Sequence, residues 1–364
     1  MNSLFPLPLY LYLKIALRNG GFSGKGLTHT PPWLLKTILF EPLRWMELAT
    51  QSKKIETHNI SKSPIFILGF YRSGTTYLQQ LFMQDDRFGF TSGFQMLFPE
   101  IMLSCEKWLT PPLESFSRLI KIQNPVHRIP FTLNSPGEED VAMTTSLSTR
   151  CAQWGYFFPG KMKEYFDKYV FFEKISPHEF DEWKKTYMTL LKKISLANHN
   201  KQLVLKNPPN TARIKLLLSL YPEARFIHIL RNPYEVYASN KNLWQTIHTH
   251  FSLNHPENID VSEIILSIYS GVMNRYIGDR NLIPSSRLIE LRYEEFINSP
   301  VESMQNIYAS LNLEDFNYCR NKVIDYAESQ KKYATLKHNL HDRERKIISE
   351  KWGSIINELG YQVL

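Results

Sequence analysis

The sequence predicts an α/β fold: a P-loop-like parallel sheet flanked by helices, with a helical and aromatic insertion and an N-terminal helical extension. Three observations carry this expectation. From residue 64 onward, short apolar runs ending in Gly, Lys or Arg alternate with helical patterns. Buried parallel strands read this way when crossover helices cover both sheet faces. One such run leads into a Gly-bearing turn with P-loop spacing. Finally, 43% hydrophobic and 13% aromatic content over 364 residues supports a substantial core and excludes a wholly disordered chain.

Residues 1–60 read as the helical extension, and residues 61–364 as one domain. The apolar run 4–17 is interrupted by Pro6, Pro8 and Lys14 and is followed by no small-residue cleavage site, so a secretory signal is not expected. No run approaches the ~18 apolar residues of a membrane span. Residues 33–48 read as an amphipathic helix carrying Leu34, Leu35, Ile38, Leu39 and Trp45 on a broad face. That face either packs on the core or lies in a membrane surface.

Residues 64–69 read as the first buried strand and 76–83 as the helix after it. Between 88 and 175 the periodicity breaks down, as expected of a substrate-binding insertion. Trp154, Tyr156, Phe157, Phe158, Tyr165, Phe166, Phe171 and Phe172 either line a lid or pocket there or form a satellite hydrophobic cluster. Residues 202–205 form the next strand, ending at Lys206 before Pro208-Pro209. A helix over 213–220, a strand over 225–230 and a helix opened by Asn232-Pro233 follow. Residues 262–280 read as helix and 287–291 as strand. Ser176-Pro177-His178-Glu179 and Ser299-Pro300-Val301-Glu302 read as capping boxes with Pro at the first helical position.

Forty-three Lys and Arg against thirty-five Asp and Glu give a net charge of +8, which favours anionic partners: nucleic acid, phosphorylated cofactors or acidic membranes. Cys105, Cys151 and Cys319 lie far apart with no CxxC spacing, which argues against a disulfide framework and a Cys-rich zinc site. A reducing, cytoplasmic compartment suits this usage. No convincing cluster of metal ligands is present, so no metal is expected.

Two places suit phosphate. Gly69-Phe70-Tyr71-Arg72-Ser73-Gly74-Thr75-Thr76 joins a buried strand to a helix, so backbone N–H groups and the helix N-terminus can face an anion. Arg72 adds charge, while Ser73, Thr75 and Thr76 add hydroxyls. Thr75 stands where a Walker lysine would, which counts against a nucleoside triphosphate. The second place is Arg231, at the end of its strand, with Ser239 about two turns into the next helix. Alternatively, Arg231 pairs with a core carboxylate and Ser239 bonds its own helix.

Together these pieces resemble the sulfotransferases that use 3′-phosphoadenosine 5′-phosphosulfate, most closely a broad bacterial type. The resemblance rests on residues 64–69 with Arg72-Ser73-Gly74-Thr75-Thr76, on Leu205-Lys206-Asn207-Pro208-Pro209, and on 226–237 through Ser239. Arg292-Tyr293-Glu294-Glu295, Trp352 and Gly360-Tyr361 complete it. It implies that Arg72 through Thr76 bind the 5′-phosphosulfate and that Arg231 and Ser239 bind the 3′-phosphate. It further implies that no metal is required and that the acceptor presents a hydroxyl or amine; the aromatic 151–172 stretch suggests an apolar acceptor, a small molecule or lipid, and no nucleic-acid partner is expected.

Sulfuryl transfer needs a base for the acceptor and a cation for the leaving oxygen. Lys206 is the candidate cation, or else a strand-end lysine facing solvent. Histidines that relatives carry just after this lysine and at the end of the strand 225–230 are absent here: Pro208, Asn210 and Leu230 stand in those places. The expected base is therefore Glu138 or Glu139 in Pro136-Gly137-Glu138-Glu139-Asp140, with His127 and Glu100 in reserve. An acidic turn that merely caps the next helix is the alternative. Competing functional readings are a P-loop kinase or other nucleotide-binding protein, and a catalytically inactive protein bound peripherally to a membrane through the N-terminal segment.

Overall fold

The computed structural model describes residues 8–21, 25–119, 132–253, 259–330 and 340–364. Its strands are β1 (Ile65–Leu68), β2 (Phe88–Gly89), β3 (Gln202–Lys206), β4 (Arg225–Leu230) and β5 (Leu288–Arg292). They form one sheet in the order β2-β3-β1-β4-β5, and every neighbouring pair is parallel. All four residues of β1 are buried, as a central strand covered on both faces requires. The helices used below are α1 (Leu9–Arg18), α2 (Lys25–Thr57), α3 (Thr75–Phe82), α4 (Met102–Leu119), α5 (Pro177–Ala197), α6 (Pro233–Phe251), α7 (Val261–Asp279), α8 (Pro300–Ser310), α9 (Arg320–Gln330) and α10 (Asp342–Glu358).

The chain divides into two compact units. The first comprises Met1–Ser61, Phe90–Asn200 and Leu243–Asp260; the second comprises Lys62–Gly89, Lys201–Asn242 and Val261–Leu364. The whole sheet lies in the second unit. Strand alternation sends Ile65, Ile67, Val204, Ile227 and Ile229 to one face, where they join buried Leu78 of α3, Met304 of α8 and Val323 of α9 in a single cluster. The opposite face carries Phe66 stacked on Phe226, with ring centroids 5.7 Å apart, and His228 against Tyr276 of α7 at 3.7 Å. Trp352 of α10 is fully buried, and its indole donates to the Leu266 carbonyl at 3.0 Å.

One helix start differs from expectation. Ser176 accepts a hydrogen bond from the Glu179 amide at 3.2 Å and caps α5. Ser299 makes no such bond, because its ψ of 61° turns it out of the extended geometry that a cap requires.

In the first unit, α2 runs opposite to the core-packing reading. Leu35, Ile38, Leu39 and Trp45 are exposed, whereas Thr37, Arg44 and Glu47 are buried. The buried charges are paired: Arg44 Nε donates to Glu100 at 2.9 Å, and Glu47 lies 2.6 Å from Lys193 Nζ. Of the aromatics in 151–172, Trp154, Phe157, Phe158, Tyr165, Phe166, Tyr169 and Phe171 are buried, so they supply this unit's core.

Candidate functional site

The loop from Gly69 to Gly74 leaves the C-terminal end of β1 and enters α3. Gly69 has φ +148°, and a Cβ there would lie 2.8 Å from Thr75 Cγ2 and 3.1 Å from the Ile229 carbonyl, so only glycine fits. Gly74, the residue before α3, has φ +90°, and a Cβ would meet the Tyr293 ring at 2.6 Å. Arg72 also adopts a left-handed backbone, φ +69°, a strained state that clusters at functional sites. These conformations turn the chain so that the first amides of α3, which have no intrahelical acceptor, end the loop.

Side chains from β4, α6 and the segment after β3 brace this loop. The Gly69 amide donates to Thr211 Oγ1 at 2.8 Å, and Asn240 Nδ2 donates to the Tyr71 carbonyl at 2.9 Å. Arg231 donates to the Arg72 carbonyl at 2.6 Å, and Arg72 Nε donates to Ser239 Oγ at 3.1 Å. Arg72, Arg231 and Ser239 therefore form one connected cluster, where the sequence suggested two separate anchors. Adjacency of β1 and β4 is the reason, since the loops leaving neighbouring parallel strands lie side by side.

The cluster is cationic. Arg231 faces Glu235 at only 3.9 Å, and that carboxylate side chain is 43% exposed, so it offsets little of the charge. Burial, and then the charge of Arg231, pull the Arg72 guanidinium below its ordinary value. Two guanidinium groups held together in this way favour an anion between them. The neighbouring hydroxyls suit the same ligand: Ser73 and Thr75 are buried and Thr76 is half-buried.

Lys206 ends β3 with its Cα paired to Ile67, which puts it at the same end of the sheet as the loop. It is 3% exposed, which excludes the solvent-facing alternative. Glu138 and Glu139 belong to the first unit. Glu138 is half-buried and immediately precedes the helical turn Glu139–Ala142. Glu139 is fully buried and accepts from Thr91 Oγ1 at 2.9 Å. Of the reserves, Glu100 is held by Arg44, and His127 lies outside the described residues. Among the described residues, no group of three or more His, Cys, Asp or Glu could hold a metal ion.

Sequence reasoning passed over Thr211, Asn240 and Tyr293 as parts of the site. Tyr293 lies under Gly74 and carries the Arg231 guanidinium 4.4 Å from its ring centre. Glu294 beside it accepts from the Asn232 amide and from the Tyr361 hydroxyl, both at 2.9 Å. Arg292-Tyr293-Glu294 and Gly360-Tyr361 were visible as motif fragments, but their bracing depends on contacts between distant parts of the chain.

The sequence matches the model of the sulfotransferase family over residues 64–317. It is 30% identical over 317 residues to omega-hydroxy-beta-dihydromenaquinone-9 sulfotransferase Stf3 of Mycobacterium bovis and to the protein of that name from Mycobacterium tuberculosis. The alignments cover 87% of this chain and 80% of each relative. Sulfotransferase STF9 from Mycobacterium avium superposes with TM-score 0.73 at 16% identity, over 100% of this chain and 99% of that one. Sulfotransferase STF1 from M. tuberculosis H37Rv superposes with TM-score 0.68 at 18% identity, over 94% and 90%. These two likenesses concern the fold, and both neighbours share the P-loop-like sheet. With a family match across most of its length and a phosphate-type loop at the end of its central strand, the chain belongs to the sulfotransferase family.

Proposed function

We propose that the chain transfers a sulfuryl group from 3′-phosphoadenosine 5′-phosphosulfate to the hydroxyl of a lipid-like acceptor, leaving adenosine 3′,5′-bisphosphate. The observation that carries this reading is the joined cluster of Arg72, Arg231 and Ser239 beside the N-terminal turn of α3. Such a donor set fits a ligand with more than one phosphate, and a bound phosphate would replace the Arg72–Ser239 contact with charge-assisted bonds. Thr75, in place of a Walker lysine, leaves a triphosphate without its usual grip. Support for a lipid acceptor comes from the 30%-identical relatives, which are named for a hydroxylated menaquinone.

In this reading Ser73, Thr75, Thr76 and the α3 amides hold the 5′-phosphosulfate with Arg72, and Arg231 with Ser239 holds the 3′-phosphate. The acceptor oxygen forms a bond to sulfur as the bond from sulfur to the phosphate oxygen breaks. Lys206 stabilises the charge that collects on that leaving oxygen. The acceptor proton passes to a carboxylate, for which we assign Glu138, with Glu139 as its neighbour. Glu138 is the half-buried member of the pair and Glu139 the fully buried one, which favours Glu138.

The test is an acceptor panel: a long-chain prenyl alcohol in detergent, a small phenol and a tyrosine peptide, each with the sulfuryl donor, read by mass spectrometry. A sulfated prenyl alcohol is expected. Sulfation of the phenol or the peptide alone overturns the lipid reading.

A further inference from the structure

We infer that α1, α2 and α4 together form a docking surface for an acidic lipid bilayer. All three helices belong to the first unit, and α2 packs against both α1 and α4. Each presents an exposed apolar stripe at helical spacing. On α1 it comprises Leu9, Tyr10, Leu13 and Leu17; on α2, Leu35, Ile38, Leu39, Pro42, Trp45 and Met46; on α4, Trp108, Pro111, Pro112, Phe116 and Leu119. Of the seventeen large hydrophobic side chains that are exposed among the described residues, thirteen lie on these three helices. Concentration of that kind marks an interaction surface, whereas isolated exposed residues do not.

Two further observations select a bilayer as the occupant. First, α2 is inverted: its inward face carries paired Arg44 and Glu47, and every exposed side chain described between 35 and 46 is apolar. A helix facing water would be arranged the other way round. Second, among the described side chains of 9–18, 34–57 and 102–119, the exposed charges are Lys14, Lys53, Lys54, Lys107 and Arg118 against Glu56 alone. Glu41, Glu106 and Glu114 are only partly exposed, and each accepts a hydrogen bond from within the first unit. An apolar face flanked by five exposed cations and one exposed carboxylate, Glu56 at the far end of α2, complements an anionic leaflet, with Trp45 and Trp108 suited to the headgroup layer. No helix among the described residues is long and apolar enough to cross a membrane, so the chain would lie on the surface there. The purpose of docking rests on the lipid-acceptor reading, since a membrane-embedded substrate has to be met at the bilayer; the surface itself does not.

Sedimentation of the full chain with phosphatidylcholine vesicles, with and without phosphatidylglycerol, tests the inference without requiring turnover. Binding is expected with phosphatidylglycerol, weakening as salt rises. A variant combining Leu39→Asp and Trp45→Asp should lose at least tenfold in partitioning. Lys14→Glu with Lys107→Glu should lose at least as much, since each cation contributes about fivefold. Circular dichroism and affinity for adenosine 3′,5′-bisphosphate, unchanged in both variants, show that the fold has survived. Absence of binding, or equal binding by all variants, overturns the inference. So does a dimer by light scattering that these substitutions convert to monomer, which would make a second copy the occupant. Vesicle binding with no lipid product would fail only the proposed function, while sulfation in detergent with no vesicle binding would fail only the docking surface.

Discussion

Replacing Arg231 with alanine separates a ligand-holding role from a loop-holding one. In the ligand-free protein Arg231 donates to the Arg72 carbonyl at 2.6 Å and lies 4.4 Å from the Tyr293 ring centre. Losing the hydrogen bond costs about 1–2 kcal/mol and losing the ring contact about 0.5–1 kcal/mol. Its 3.9 Å approach to exposed Glu235 contributes almost nothing. Against these losses, removing the charge of Arg231 relieves one of the two influences that pull Arg72 down. Stability of the free protein should therefore fall by less than about 3 kcal/mol. If Arg231 also holds the 3′-phosphate, the variant loses a charge-assisted hydrogen bond of about 1.5–3 kcal/mol, or roughly 10- to 150-fold in affinity. That loss should appear for adenosine 3′,5′-bisphosphate and not for 5′-AMP, which lacks the group. Titration calorimetry with both nucleotides reads the difference. The wild type should prefer the bisphosphate by tenfold or more, and Arg231→Ala should erase the preference. An equal loss for both ligands would mean that Arg231 only supports the loop through Arg72, and an unchanged preference would put the 3′-phosphate elsewhere.

Three other outcomes are expected. Gly74→Ala forces a side chain into the Tyr293 ring at φ +90° and should lower the melting temperature by several degrees, through a cost of about 1–2 kcal/mol or more; an unchanged midpoint by calorimetry would contradict the loop geometry. Glu138→Gln should slow turnover by about 10²–10⁴-fold with nucleotide affinity within a few-fold, while Glu139→Gln should mainly reduce stability; the reverse pattern in steady-state kinetics would exchange their roles. Burial holds His228 and His248 below the ordinary imidazole value, His248 at about 4. The unfolded chain then binds protons from pH 6.5 downward that the native state resists, so this stability is complete above pH 6.5 and lost as pH falls toward 4. Each fully buried group contributes a slope of up to about 1.4 kcal/mol per pH unit, and half-buried His248 less. A melting temperature flat from pH 7 to 4.5 would contradict it.

The parallel sheet was legible because its strands are short apolar runs closed by Gly69, Lys206 and Arg231, and the observed β4 coincides with the run 225–230. The strand predicted over 287–291 shifts by one residue to Leu288–Arg292, a boundary that periodicity alone cannot fix. Periodicity also identified which α2 residues share a face but not which face turns inward. That choice depends on Glu100 and Lys193, which are distant in sequence and give Arg44 and Glu47 buried partners. For the same reason the proposed phosphate anchors read as two sites: nothing local to Arg72 announces Ser239 as its acceptor. Thr211 and Asn240 carry no motif, because each acts through a single hydrogen bond to a backbone group of another segment.

Donor identity is the most direct test of the account. The full chain, with a prenyl alcohol in vesicles, is given sulfur-labelled 3′-phosphoadenosine 5′-phosphosulfate in one reaction and γ-labelled ATP with magnesium in another. Label in the lipid and matching release of adenosine 3′,5′-bisphosphate are expected from the first donor, and no transfer from the second. Label moving from ATP to the lipid, with none from the sulfuryl donor, would contradict it.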